Sequence, residues 1–283
     1  MTTSSVRVAL GGALCALAAT GAWFSELAGP GTPMLATLAA VAGIAILVRA
    51  RTLAARGAAR PEYAAETPLS AAPGVALAQT LLDDLEFVVF DTETTGLRPQ
   101  AGDEIIAIGA VKVVDRRVRA EQSFDALAHP GRSIPASSTK IHGITNAMVA
   151  DKRPVREVLA DFRRYAGDGV LVAHNAAFDL AFIARLEGAA GVHFTNPVLD
   201  TLNLSRHLHP HESDHSLDAV AERYGLALEA RHSALGDALV TSEVLTRQLT
   251  ELGARGIRTL GEALKACGTG AAMRRARAGG TGF

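Results

Sequence analysis

The chain has 283 residues, 48% of them hydrophobic, and a formal net charge of −1, which suits one domain of ordinary size with additional segments. Between Glu86 and Glu251 lie 23 acids against 17 Lys and Arg residues, while the flanks hold 6 acids and 11 bases. A negative body with positive ends argues against a protein that coats duplex nucleic acid through one basic face, although bound cations would let it hold a strand end. Cys15 and Cys267 are far apart and show neither metal-ligand spacing nor a disulfide framework.

Between Arg7 and Arg49 the only charged residue is Glu26, within two apolar runs at about 8–24 and 33–48. Glycines and Pro30 punctuate the break between them, and Gly11, Gly12, Ala16, Ala40 and Gly43 would allow close helix approach. The runs predict a two-helix transmembrane hairpin over 1–51, with a signal peptide or a buried hairpin as the alternatives. Arg49, Arg51, Arg56 and Arg60 follow the second run, so the positive-inside rule predicts a multi-pass protein of the cell membrane with its C-terminal domain on the cytoplasmic side. Residues 52–84, interrupted by Pro61, Pro68 and Pro73, read as a linker. Residues 85–252 read as the compact domain, and 253–283 as an extension that is disordered after 268.

Within that domain Phe87–Phe90 is a short apolar run entering Asp91, read as a buried strand. Ile105–Val114 and Val118–Leu127 read as two more strands, turning at Asp115-Arg116-Arg117. Pro154 opens a helix with Val155, Val158, Leu159 and Phe162 on one face. Val170–Ala173 is another buried strand, followed by a helix over about 176–187 and a short strand near Val198-Leu199. Helices at 217–224 and 234–252 close the domain. Three strands followed by alternating helix and strand imply an α/β fold, a mixed sheet flanked by helices.

The candidate chemistry sits where these elements meet. In a strand, residues two apart share a face, so Asp91 and Glu93 of Asp91-Thr92-Glu93-Thr94-Thr95-Gly96 can present their carboxylates together. Like charges placed together repel and are costly to desolvate, unless each has its own arginine or the strand end is solvated. Asp179, in His174-Asn175-Ala176-Ala177-Phe178-Asp179, falls near a helix start, where the macrodipole by itself would justify an acid. Asn175 is suited to capping that helix. In His232-Ser233-Ala234-Leu235-Gly236-Asp237, His232 precedes a helix and Asp237 lies about one turn in. Imidazole titrates near neutral pH and can serve as a base, though a His before a helix is also an ordinary loop residue.

These three segments resemble the exonuclease motifs of the DEDDh family, and most nearly those of epsilon-subunit-like exonucleases of bacterial DNA polymerase III. The resemblance runs from about Phe87 to Leu249 and takes in Ile141-His142-Gly143-Ile144-Thr145. It implies a ribonuclease H-like fold and a metal-dependent 3′→5′ exonuclease that releases nucleoside 5′-monophosphates, using two divalent cations, Mg²⁺ or Mn²⁺. By similarity Asp91 would bridge both cations, Glu93 and Asp237 would complete the ligation of one, and Asp179 would support the other. His232 would take the proton from the attacking water. Thr92, Thr94, His142 and Asn175 would hold the terminal nucleotide, with a turn role for His142 and a capping role for Asn175 as the alternatives.

The expected partner is a single-stranded 3′ end, DNA before RNA, with RNA trimming as the alternative activity. A catalytically inactive membrane-tethered nucleic-acid-binding module is the alternative of another class. A stable polymerase partner is not expected, and repair or turnover near the membrane fits the expected spans better. His207, His209, His211 and His215 crowd a polar stretch around Pro210, where alternate spacing does not fix a zinc geometry, so it reads as a loop. Asp200 reads as an acceptor of backbone hydrogen bonds at the next helix start.

Overall fold

The computed structural model describes residues 73–227 and 232–268. Helix α1 (Val75–Gln79) and a 3-10 turn (Leu82–Asp84) lead into β1 (Phe87–Thr94). The strand runs past its apolar half, so Asp91 and Glu93 lie within it. Strands β2 (Ile105–Val114) and β3 (Arg117–Leu127) form a hairpin whose two loop residues, Asp115 and Arg116, have φ of 52° and 57°. Left-handed residues at both loop positions match the twist of the paired strands.

Two short helices follow, α2 (Ala136–His142) and α3 (Asn146–Val149), then α4 (Val155–Ala166) and β4 (Val170–Ala173). After them come α5 (Ala176–Ala190), β5 (Val198–Asp200), α6 (Thr201–Leu208), α7 (Leu217–Arg223) and α8 (Ala234–Ala254). The sheet order is β3-β2-β1-β4-β5. β1 pairs antiparallel with β2 and parallel with β4, and β4 parallel with β5, so the sheet is mixed as expected.

β1 is central and every one of its residues is buried. Its alternation splits the core into two layers. Phe87 and Val89 pack with Val111, Val113, Leu245, Leu249 and Leu252, on the α8 side. Val88 and Phe90 pack with Leu159, Phe162, Phe178 and Phe182, on the side of α4 and α5. Phe162 is the hub of that second layer, with ring centroids 5.3 Å from Phe90, 5.8 Å from Phe124 and 5.7 Å from Phe194.

Both ends of the described body fold further than the strand and helix periodicities imply. Residues 260–268 are helical, and Leu260, Ala263, Ala266 and Cys267 are buried in the α8-side core. Leu82 N–H donates to the Arg258 carbonyl at 2.8 Å, and Leu260 N–H to the Thr80 carbonyl at 3.1 Å. The segments before β1 and after α8 therefore close on each other. Burial pushes the Cys267 thiol up to about 12, which keeps it neutral.

No helix among the described residues is long and apolar enough to cross a membrane. The longest, α8, has 21 residues but carries Asp237, Glu243, Arg247 and Glu251. The expected spans at 8–24 and 33–48, the arginines after them, most of the expected linker and the tail beyond 268 lie outside the described residues.

The aromatic hub makes a stability prediction. Phe162→Ala removes a fully buried ring and should cost about 3–5 kcal/mol. Urea unfolding followed by circular dichroism measures it.

Candidate active site

Asp91, Glu93 and Asp237 each offer a carboxylate oxygen, and these atoms all lie within 4.8 Å of one another. The three residues are only 4%, 6% and 6% exposed. β1 supplies the first two on its α8 face, two residues apart, and the first turn of α8 supplies the third. Local hydrogen bonds fix that turn. Ser233 is the N-cap, its hydroxyl accepting from Gly236 N–H at 3.2 Å, and Asp237 N–H donates to the Ser233 carbonyl at 2.9 Å. His232 stands just before the cap with φ of 65°, and its backbone N–H donates to Asp237 Oδ1 at 3.2 Å. The helix start favours the negative charge of Asp237. Three carboxylates this close still repel, and a divalent cation relieves that repulsion. Hard oxygen donors of this kind suit Mg²⁺ or Mn²⁺, so the residues fit the expected cations.

Asp179 belongs to the opposite side of β1. It is fully buried in the first turn of α5, and its Oδ1 accepts from Thr92 N–H at 3.1 Å and Thr92 Oγ1–H at 2.6 Å. Thr92 lies between Asp91 and Glu93 and faces the other way, so alternation separates Asp179 from the three-carboxylate group while tying it to the same strand. Asn175 occupies the N-cap position of α5 with φ of 68°, but its side chain makes no capping hydrogen bond. Its backbone N–H donates instead to Asp200 Oδ1 at 3.0 Å, and its buried Oδ1 meets no hydrogen-bond partner. Asp200 also accepts from Leu202 N–H and Asn203 Nδ2, capping α6 as expected of it. Burial raises its carboxyl above the ordinary range, and these hydrogen bonds pull the other way.

The loop after β1 forms a braced wall. Thr94 Oγ1 donates to the Gly96 carbonyl at 2.6 Å, and Ser138 Oγ to the Thr95 carbonyl at 2.8 Å. Asp103 Oδ2 accepts from Arg98 N–H at 3.0 Å, and Asp103 Oδ1 pairs with Arg132 at 3.1 Å. A side chain at Gly96 would fall on the Asp103 carboxylate. Arg185, on α5, reaches across to pair with Glu104 and to donate to the Asp103 carbonyl at 3.1 Å. His142 ends α2, and its Nδ1 accepts from Ile144 N–H at 3.0 Å, which leaves the neutral ring's proton on Nε2. Desolvation lowers its pKa, offset in part by the neighbouring Thr94 backbone.

The sequence motifs did not point to Asp103, Arg185 or Gly109. Ion pairs between distant segments leave no local pattern, and a glycine inside an apolar strand signals only a close backbone approach. Two of the crowded histidines, and His174 beside them, make structural hydrogen bonds. His215 Nδ1 meets Ser205 Oγ at 2.9 Å and its Nε2 the Glu212 carbonyl at 3.2 Å. His209 Nε2 lies 3.2 Å from both the Tyr224 hydroxyl and Glu251. His174 bridges Thr201 Oγ1 at 2.8 Å and the His215 carbonyl at 2.9 Å.

A mixed five-stranded sheet, helices on both faces and a buried acidic cluster where the central strand meets a helix start together define a ribonuclease H-like fold of the nuclease type. The Exonuclease family model matches residues 88–245, and the chain belongs to that family. It is 53% identical over 191 residues to a DNA polymerase III subunit epsilon-like protein of Rhodobacter capsulatus, a match covering 67% of this chain and 27% of the relative. It is 42% identical over 177 residues to the PolC-type DNA polymerase III of Caldanaerobacter subterraneus, covering 62% of this chain and 12% of the relative. The chain thus spans well under a third of the length of these relatives. Among solved structures, exonuclease X in complex with 5′ overhanging duplex DNA superposes with a TM-score of 0.51 at 27% identity, covering 62% of this chain and 99% of that one.

These findings correct the expected cell-membrane placement. The relatives are named as DNA polymerase III proteins, and the described helices include none able to span a bilayer. That placement had rested on hydropathy and flanking arginines alone, at runs 8–24 and 33–48, which lie outside the described residues.

The tie between Thr92 and Asp179 is open to direct measurement. Thr92→Val keeps the β-branched shape but removes the hydroxyl donor to a buried carboxylate. It should cost about 1–3 kcal/mol in urea unfolding with the secondary structure unchanged.

Proposed function

We propose that this chain is a 3′→5′ exonuclease that hydrolyses the terminal phosphodiester of a single strand, DNA in preference to RNA, and releases nucleoside 5′-monophosphates. The observation that carries the reading is the set of three buried carboxylates with oxygens within 4.8 Å of one another, in a member of the Exonuclease family. When bound, two divalent cations would supply stabilisation of both the entering and the leaving oxygen. Asp91, Glu93 and Asp237 would hold the cations, and Asp179, which Thr92 orients, would support the set. His232, whose backbone is tied to Asp237, takes the proton from the attacking water. Thr92, Thr94, His142 and Asn175 hold the terminal nucleotide against the braced loop after β1. DNA is favoured because similar proteins carry DNA polymerase III names.

The test uses single-stranded DNA and RNA labelled at the 5′ end, each with Mg²⁺ and with Mn²⁺. A ladder shortening from the 3′ end on DNA is the expected result, and faster loss of RNA would reverse the substrate preference. Asp91→Ala should lower the rate at least about a hundredfold, the scale on which a principal electrostatic group acts. Its circular dichroism should stay that of the parent. Undiminished degradation by Asp91→Ala overturns the assignment, and a parent chain that binds strands without cutting them would make this an inactive binding module.

A further inference from the structure

We infer that Gly109 is a positioning residue for the carboxylate cluster. Its missing side chain lets the first turn of α8 rest on the backbone of β2, and that seating sets where Asp237 meets Asp91. The inference rests on the reading of Asp91, Glu93 and Asp237 as a cation site.

Gly109 lies in the middle of β2, directly opposite Asp91 in the antiparallel register. Residues opposite each other in such a pair present the same face, so Gly109 and Asp91 both look toward α8. A Cβ built on Gly109 falls within 3.0 Å of Leu235 N, Leu235 Cα and the Ala234 carbonyl carbon, closer than real Cβ atoms approach. All three are helix backbone, which cannot rotate away as a side chain can. Glycine weakens a strand interior and therefore needs a reason to be there. Gly109 is not among the glycines with positive φ, so the reason is space, not backbone conformation.

The neighbours on the same face extend the argument. Val113 and Val111 pack with the C-terminal half of α8, at Leu245, Leu249 and Leu252. Two positions toward the cluster stands Gly109, and two further Ala107, which packs with Ala234. The face shrinks along the strand, so the start of α8 comes down onto the sheet where Asp237 is needed. That same turn carries the Ser233 cap and the His232 backbone bond to Asp237. Mg²⁺–oxygen distances near 2.0–2.1 Å leave little tolerance for displacement of one ligand. A methyl group at 109 lifts the whole turn and withdraws Asp237 from the other two carboxylates.

The experiment compares the full-length parent, Gly109→Ala and Gly188→Ala, the last at a site with nothing within 4 Å of an added Cβ. Mn²⁺ uptake is measured by titration calorimetry without nucleic acid, and degradation of 5′-labelled DNA is measured across Mn²⁺ concentrations. Gly109→Ala should keep its circular dichroism, bind Mn²⁺ at least tenfold more weakly and need correspondingly more Mn²⁺ for activity. Gly188→Ala should match the parent. Adding Leu235→Ala to Gly109→Ala should restore nothing, because the obstruction is main chain. Should Gly109→Ala not fold, Ala107→Val lifts the same turn through Ala234 and should shift Mn²⁺ affinity in the same direction. Parent-like Mn²⁺ affinity in the folded variant, or rescue by Leu235→Ala, overturns the role of Gly109 alone. A parent chain that takes up no Mn²⁺ sinks the cation site and this inference together.

Discussion

The two-residue alternation of β1 is the constraint on which the rest of the molecule depends. The strand is buried along its whole length and covered on both faces, so each residue must satisfy one of two layers. Over its first half apolar side chains do this, feeding the α8 layer at Phe87 and Val89 and the aromatic layer at Val88 and Phe90. Over its second half the same alternation continues with polar residues. Asp91 and Glu93 then face α8, while Thr92 faces α5. One strand thus orders the core and the chemistry, and the site inherits the rigidity of the sheet.

Placing acids in such an interior is costly, and the fold offsets the cost by drawing them from helix starts. Asp237 lies in the first turn of α8, Asp179 in the first turn of α5, and Asp200 at the N-cap of α6. Each helix start stabilises a negative charge by about 0.3–2 kcal/mol, and donated backbone N–H groups add to this. Asp91 and Glu93 are drawn instead from a strand. Their proximity to Asp237 is where electrostatic strain concentrates, and where a cation gains most by binding.

Much of this was legible in the sequence because the relevant signals are local. The strand at Phe87, the hairpin through Asp115 and Arg116, and the helix after Pro154 follow from period and turn chemistry, and the structure has them. Asp91 and Glu93 were readable as a pair from strand geometry, while Asp237 joined them only through the resemblance to the exonuclease motifs. Asp179 was readable as an acid at a helix start, but not its bond to Thr92, which joins residues 87 positions apart. The ends of the body were missed for a similar reason. Residues 260–268 have the apolar spacing of a short helix, yet their burial depends on the backbone pairing of 80–82 with 258–260, which no window of sequence contains. The expected cell-membrane placement rested on the apolar runs near the N-terminus, and hydropathy reports composition and not where a protein resides.

The two faces of β1 also explain how a single strand can organise acids that approach it from different helices. Asp179 is not in the group around Asp91, yet it binds the main-chain N–H of the residue between Asp91 and Glu93. Any movement of α5 along the sheet is therefore felt at Thr92, and through the peptide on either side of it at both carboxylates. Asn175 begins α5 and is held by Asp200 at the end of β5, so the position of Asp179 is referenced to the neighbouring strands as well. On the other face Gly109 references α8 to β2 by direct main-chain proximity. The site is thus gauged against the sheet from both sides, by a hydrogen bond on one and by the absence of a side chain on the other.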